Sequence, residues 1–378
     1  MPLGLYLHVP FCARSCDFCH FYQEAPRRAE LERYLLAMEE SLGQLRLPRE
    51  VDTVFWGGGT PGLLPSEDLR RLGLAVVRAN GGCLPREWTV EMAPSTVKAD
   101  RLETLLEMGV TRFSMGVQTF DAKLLESLGR IHTRSQVDGA IQLFQDFRIE
   151  NFNLDLIFAI PGQRVEAWER DLQEAVAAGP AHISTYCLTF EEDTALWLRL
   201  KRGQVEKTDA DEEALFFTRT RTLLEDAGYA QYEVSNYCRP GRACLHNLNT
   251  WRMEEWIGVG PSAASQFAGR RWTEPHSLNE WQERVIGSGK PALDEVILTP
   301  ALLQQDCLIF GLRMNAGVDV AEIQRRHGAL PASTRQFLER LVEEGLAVRQ
   351  ATLFRLTEAG RLLADRIGEE ILGLDETG

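Results

Sequence analysis

The chain has 378 residues and a mass of 42.6 kDa, room for one large domain or one large plus one small domain around a substantial core. Hydrophobic residues at 44% and charged residues at 25% are those of an ordinary globular chain, which excludes disorder as the bulk answer, and no apolar run approaches the roughly 18 residues needed to cross a bilayer. Asp plus Glu outnumber Lys plus Arg by 55 to 41, so the overall field repels polyphosphate and nucleic acid is not an expected partner.

Short β-branched or aromatic runs recur along the first half of the chain and read as buried strands: Leu3 to Val9, Val51 to Trp56, Glu87 to Met92, Arg112 to Val117, Phe152 to Phe158 and His182 to Leu188. Amphipathic segments lie between them, at Ala29 to Leu45, Ser66 to Ala79, Lys98 to Met108, Ser135 to Phe147, Val165 to Ala178 and Asp209 to Ala227. Six alternations of strand and helix call for parallel strands joined by right-handed crossovers, in an α/β sheet or a full or partial barrel whose carboxyl strand ends carry the ligand chemistry. After about Ala268 the rhythm changes. Helices are expected at Leu278 to Ile286, Pro300 to Arg313, Val320 to His327 and Ser333 to Glu344, then a hairpin-like LAVRQATLFRLT and a final helix from Glu358 to Leu372. Domains at 1–268 and 269–378 follow, the second mainly helical and winged-helix-like. From Pro300 onward it has 9 Arg and no Lys against 12 Asp plus Glu, so it lacks the basic face of a DNA reader and reads as a lid or docking module. The N-terminus, MPLGLYLHVPFC, has no basic stretch or small-residue cleavage site, and a cytoplasmic location is the expectation.

In a reducing compartment the eight cysteines read as thiols. Cys83, Cys187, Cys238, Cys244 and Cys307 are scattered and suit plain packing. Cys12, Cys16 and Cys19 instead form a C-x3-C-x2-C pattern in the loop after the first strand. Three thiolates there can hold three corners of an iron–sulfur cubane, leaving one iron for a small molecule with an amine and a carboxylate. Zinc is a competing reading but would need His20, adjacent to Cys19, as its fourth ligand. C-type haem attachment at Cys16 to His20 needs export, and a redox dithiol would use only two of the three.

Further along, Gly57-Gly58-Gly59-Thr60-Pro61 follows a strand directly, and consecutive glycines let backbone groups approach a ligand; no Lys-Ser/Thr follows, so it is not a P-loop. Glu91, Gln118, Arg130 and Asp155 sit at or just beyond strand ends, where a buried polar group needs a partner, either a ligand or one another.

YLHVPFCARSCDFCHFY, FWGGGTPGLL, EMAPS, RFSMGVQTF, LGRIH, NLDLIFAIPGQ and YEVSN, in that order, resemble the radical S-adenosylmethionine (SAM) superfamily, in the subfamily of oxygen-independent coproporphyrinogen III oxidases and their relatives. The resemblance covers essentially the whole chain. It implies a partial (β/α)6 TIM-like barrel, a 4Fe-4S cluster on Cys12, Cys16 and Cys19, and SAM as the fourth ligand. It implies that Gly58, Gly59 and Thr60 hold the amino group of SAM, Glu91 and Asp155 its amino or ribose groups, Gln118 a hydroxyl and Arg130 the carboxylate. Tyr6, Phe18, Ile157 and Tyr186 occupy places where the family packs cluster and adenine. It further implies one electron entering the cluster, from a donor such as a flavodoxin or ferredoxin, and a 5'-deoxyadenosyl radical.

Coproporphyrinogen oxidases normally have a further cysteine two residues after the third, where Phe21 stands here, and a sizeable segment before the first. Both departures resemble the haem chaperones of the HemW type, which implies haem binding and delivery to respiratory haemoproteins. That group carries H-N-x-x-Y-W; this chain has His246-Asn247-Leu248-Asn249-Thr250-Trp251, with Thr250 in place of Tyr. His246 could ligate haem iron and Trp251 offer a flat face, with His8, His20 and His132 as alternative ligands. The competing class is enzymatic: a coproporphyrinogen decarboxylase, or a radical methyltransferase or cyclopropanase. The sequence leaves the oligomeric state open, a homodimer included.

Overall fold

A computed structural model describes residues 1–288 and 292–374. Its first half alternates strand and helix: β1 (Leu3–Val9), α1 (Arg28–Gln44), β2 (Thr53–Gly58), α2 (Ser66–Ala79), β3 (Glu87–Met92), α3 (Ala99–Glu107), β4 (Arg112–Gln118), α4 (Ala122–Ser127), α5 (Arg134–Asp146), β5 (Phe152–Phe158), α6 (Val165–Ala177), β6 (His182–Cys187), α7 (Ala195–Lys201) and α8 (Ala210–Asp226). An extension follows as β7 (Ala230–Glu233), β8 (Asn236–Cys238), α9 (Leu245–Trp251), β9 (Glu255–Val259), β10 (Ala264–Phe267), β11 (Arg270–Thr273), α10 (Leu278–Glu283) and β12 (Leu293–Ile297).

All of these strands belong to one sheet, ordered β12-β11-β10-β9-β1-β2-β3-β4-β5-β6-β8-β7. The run from β9 through β6 is parallel throughout, and β6 turns to an antiparallel neighbour, β8, instead of meeting β9. The barrel is therefore open. Outward-facing side chains such as Leu5, Val54, Trp88, Met115 and Leu154 are sealed under the helices at 1% exposure or less. This burial is what made the six barrel strands readable as apolar runs. Trp168 of α6 donates its indole N–H to Thr220 of α8 (2.7 Å), pinning two helices of the outer layer together.

The helical module begins at Pro300: α11 (Pro300–Leu312), β13 (Val318–Asp319), α12 (Val320–His327), α13 (Ala332–Glu343), β14 (Ala347–Gln350), β15 (Leu353–Leu356), α14 (Glu358–Leu362) and α15 (Ala364–Gly373). It has its own core, including Leu308, Leu312, Ile323, Phe337, Leu338, Phe354 and Ile367. The wing is a three-stranded sheet, β13-β15-β14, rather than a lone hairpin. Two expectations change. Residue 268 falls between β10 and β11, which with β12 continue the barrel sheet, so the strands after 268 pack with the first unit. The single final helix is broken at Leu363, whose ψ of 16° departs from the helical path.

Candidate functional site

The loop after β1 carries Cys12, Cys16 and Cys19 as half-buried free thiols. Its backbone is tied at three points: Cys12 N–H donates to Glu24 O (3.0 Å), Asp17 N–H to Leu128 O (3.0 Å) and Cys19 N–H to Cys16 O (3.2 Å). Cys12 Sγ lies 3.6 Å from Thr60 Oγ1, and Gln23 Nε2 donates to Cys19 Sγ (2.6 Å). Burial holds all three thiols above their ordinary pKa, Cys19 at about 11. The sulfurs thus favour thiolate only when a cation replaces the proton. Among the described residues no three His, Cys, Asp or Glu groups converge as a single-ion site. Three cysteines on a cluster each take a different iron, so such convergence is not required of them.

The glycine turn after β2 is shaped by close approach. Gly58 has φ +97°, and a Cβ on Gly59 would lie 2.6 Å from Val9 O and 2.8 Å from Phe11 O, so only glycine lets this turn lie against the cysteine loop. Thr60 N–H donates to Phe11 O (2.8 Å), and the Gly58 N–H is aimed at Glu91.

Glu91 on β3 and Asp155 on β5 sit on the two strands that flank β4, on the same wall of the lumen, and both keep partial solvent access. Burial, reinforced by Asp155, pushes Glu91 up to about 8. Burial also raises Asp155, against hydrogen bonds from Ser184, Asn153 (2.8 Å) and Ser114 (3.1 Å) and the nearby Arg112 charge. Between them, at the end of β4, Gln118 sits at φ 70° beyond a register shift in the β4–β5 ladder, with its amide over Gly116 and close to Arg130. The Arg130 guanidinium lies 6.0 Å from the Phe18 ring centroid, and its Nε is buried without a partner. Among the described residues it forms no ion pair, so the internal pairing that competed with ligand binding is not made. His132 Nε2 is likewise buried and unpartnered; burial and then Arg130 hold its pKa near 4. Phe18 and Ile157 pack in one small apolar cluster with Leu124, Leu128, Ile160, Leu188 and Leu196, while Tyr186 is 40% exposed at the rim. Tyr6 stacks on Phe55 inside the lumen (6.2 Å, 30°) and its hydroxyl is 3.3 Å from His8 Nδ1. One mouth therefore gathers the cysteines, the glycine turn, Glu91, Gln118, Arg130, Asp155, Phe18, Ile157 and Tyr186, with Tyr6 deeper in the lumen.

His246 and Trp251 lie at the other end. Glu87, at the start of β3, accepts the N–H groups of Leu245 (2.9 Å) and His246 (3.0 Å) and so seats the N-terminus of α9 under the barrel. His246 is 7% exposed; its Nδ1 lies 2.9 Å from Thr53 Oγ1, and its ring packs beside Gly4 and Phe55. Trp251 faces the helical module, 5.8 Å from the Phe310 ring and under the Arg313 guanidinium at 5.4 Å. The structure does not bring this pair to the cysteine loop.

Sequence reasoning passed over the inward-facing polar set Arg112, Ser114, Asn153, His182 and Ser184. The signal was available: polar residues alternate at Arg112/Ser114, Asn153/Asp155 and His182/Ser184 inside runs otherwise read as wholly apolar.

An open parallel barrel with a three-thiol loop at its carboxyl end is the arrangement of the Radical SAM superfamily, whose sequence model matches residues 6–175; the model of the HemN C-terminal domain matches residues 305–363. The fold is that of coproporphyrinogen III oxidase (HemN) from Escherichia coli, with a TM-score of 0.83 at 22% identity over 98% of this chain and 90% of that one. The proteins named heme chaperone HemW from Synechocystis and Mycobacterium tuberculosis H37Rv are 35% and 34% identical to this chain, over 85% and 98% of it and 81% and 95% of their own length. The chain belongs to the HemW family of radical SAM proteins.

Proposed function

We propose that the protein binds haem, a 4Fe-4S cluster and SAM, and delivers haem to recipient haemoproteins. The observation that carries the ligand reading is the set of poorly matched ionisable groups at the barrel mouth. Two adjacent carboxylates, Glu91 and Asp155, are held above their ordinary pKa and need a cation; Arg130, with an orphaned Nε and no carboxylate in ion-pair range among the described residues, needs an anion. A molecule that is cationic at one end and carboxylate at the other satisfies both. The thiol loop fits a cluster by its donor set: three free cysteines whose protons burial makes costly to lose without a metal. Cys12, Cys16 and Cys19 would hold the cluster, and Gly58, Gly59, Thr60, Glu91, Gln118, Arg130 and Asp155 the SAM, with Tyr6, Phe18, Ile157 and Tyr186 packing around them. When bound, the cluster supplies one-electron chemistry and a free coordination position. An electron carrier such as a flavodoxin or ferredoxin would serve it.

For haem, the His246–Trp251 motif would first have to be freed from its contacts with Thr53, Phe310 and Arg313. His8 is 2% exposed and its Nε2 lies 3.2 Å from Tyr22 O, and His132 is 8% exposed beside Arg130. His20, next to Cys19, is exposed. It is therefore the imidazole we assign to haem iron. The apolar ring of the next residue, Phe21, at 66% exposure, suits the porphyrin face. No described helix is long and apolar enough to cross a membrane, in keeping with work in the cytoplasm.

The test is anaerobic reconstitution followed by parallel haem titration and 5'-deoxyadenosine measurement. The reading expects a stoichiometric Soret shift, weakened in His20→Ala and preserved in His246→Ala. No haem uptake, combined with porphyrinogen decarboxylation or methyl transfer, would establish the enzyme instead.

A further inference from the structure

Beneath the mouth, on the β4–β6 wall of the lumen, a row of buried polar side chains runs from the barrel base up to Asp155. Tyr232 Oη lies 2.9 Å from His182 Nε2, and His182 Nδ1 lies 2.7 Å from Asn153 Oδ1. Asn153 Nδ2 donates to Asp155 Oδ1 (2.8 Å) and to Ser114 Oγ (2.7 Å), and Ser114 Oγ donates to Asp155 Oδ2 (3.1 Å). His182 is 0% exposed and Asn153 is 1% exposed.

The row has a direction. Both contacts of the Asn153 amide nitrogen are donor contacts, so its oxygen is the end that faces His182. An amide oxygen only accepts, so the proton of the imidazole must be on Nδ1. Burial, with the neighbouring Arg112, keeps His182 neutral, so its Nε2 carries a lone pair and accepts from the Tyr232 hydroxyl. The donors of the row thus point one way, from Tyr232 through His182 and Asn153 to the carboxylate, and Ser184 Oγ adds a second donor to Asn153 Oδ1 from the side (3.2 Å). Both Asp155 oxygens are held from below, by Asn153, Ser114 and Ser184, and the carboxylate keeps acceptor capacity for a ligand above.

The base of this row is joined to the helical module. Asn315, just past α11, donates its N–H to Tyr232 O (3.0 Å) and its side-chain amide to Gln231 O (2.8 Å).

We propose that His182, with Asn153, is a positioning residue for the nucleoside ligand, orienting the Asp155 carboxylate toward the barrel mouth. The inference rests on the reading of Asp155 as a SAM contact. The decisive comparison is between amides of different reach. In His182→Asn the amide nitrogen falls near the position of Nδ1 and can still donate to Asn153 Oδ1. In His182→Gln the amide reaches toward Tyr232 instead. A role in filling space alone would favour the larger glutamine.

The experiment measures SAM affinity of the anaerobically reconstituted full chain by equilibrium dialysis, for wild type and the His182→Ala, His182→Gln, His182→Asn and Asp155→Asn variants, each checked for iron content and thermal unfolding. The expected result is about a tenfold loss for alanine and glutamine, and a return to within about twofold of wild type for asparagine. Wild-type affinity in His182→Gln, or an asparagine variant no better than the glutamine one, overturns the proposal. Should the alanine variant fail to fold, the asparagine–glutamine pair decides alone. An Asp155→Asn variant with unchanged affinity would sink the ligand reading of Asp155 itself. A loss there with none at His182→Gln leaves that reading standing and removes only the positioning role.

Discussion

Replacing Glu91 with glutamine sets stability against ligand binding in a way that the structure quantifies. Glu91 titrates at about 8 in the folded chain against an ordinary value of 4.5, because it is buried beside Asp155. Between those values the folded protein holds a proton that the unfolded chain has released, so stability falls as pH rises through the window and the full loss is present above about 8. The difference sets an upper bound of about 5 kcal/mol. The carboxylate faces an open lumen that solvent reaches, so we expect about 2 kcal/mol. Glutamine keeps an acceptor for the Gly58 N–H and removes the charge. E91Q should therefore be more stable than wild type at pH 8.5 by about 2 kcal/mol and equal to it at pH 5, while binding SAM at least tenfold more weakly. Chemical denaturation of the reconstituted, nucleoside-free proteins at both pH values measures the first effect, since cluster contributions cancel in the comparison. Equal midpoints at pH 8.5, or the same gain at pH 5, would refute the charge argument.

Other positions separate the parts of the site. In Gly59→Ala the new Cβ meets the backbone oxygens of Val9 and Phe11, which cannot rotate away, so a cost of about 1–3 kcal/mol and reduced iron retention after reconstitution are expected. Arg130→Ala should lower SAM affinity roughly ten- to a hundredfold with normal iron content, as read by equilibrium dialysis, because a charge-assisted contact is lost. Trp251→Ala removes the ring that packs between Phe310 and Arg313. It should lower stability by about 2 kcal/mol in thermal unfolding and leave SAM affinity unchanged; a SAM effect as large as that of Arg130→Ala would contradict the placement of Trp251 away from the mouth.

The sequence by itself determined the parallel alternation, because strands covered on both faces read as apolar runs whose ends match the observed ones to within one residue; the exception is β2, which starts two residues later and runs two residues further, into Gly58. It also determined the thiol loop, since three cysteines within eight residues cannot be far apart whatever the fold. The strands of the extension were not legible: β7, β8 and β10 are three or four residues each, too short for a period to emerge. Which end of the barrel a residue occupies was decided only by the tertiary structure. His246 and Trp251 looked like ligand residues in the chain, yet the Glu87 carboxylate draws the start of α9 beneath the strands. The row from Tyr232 to Asp155 likewise exists only through register: Asn153 pairs with Ser114 on one side and His182 on the other. Residues far apart in sequence become neighbours because the ladder offsets of a curved sheet stack them in one lumen, a property of pairing between strands that no single strand encodes.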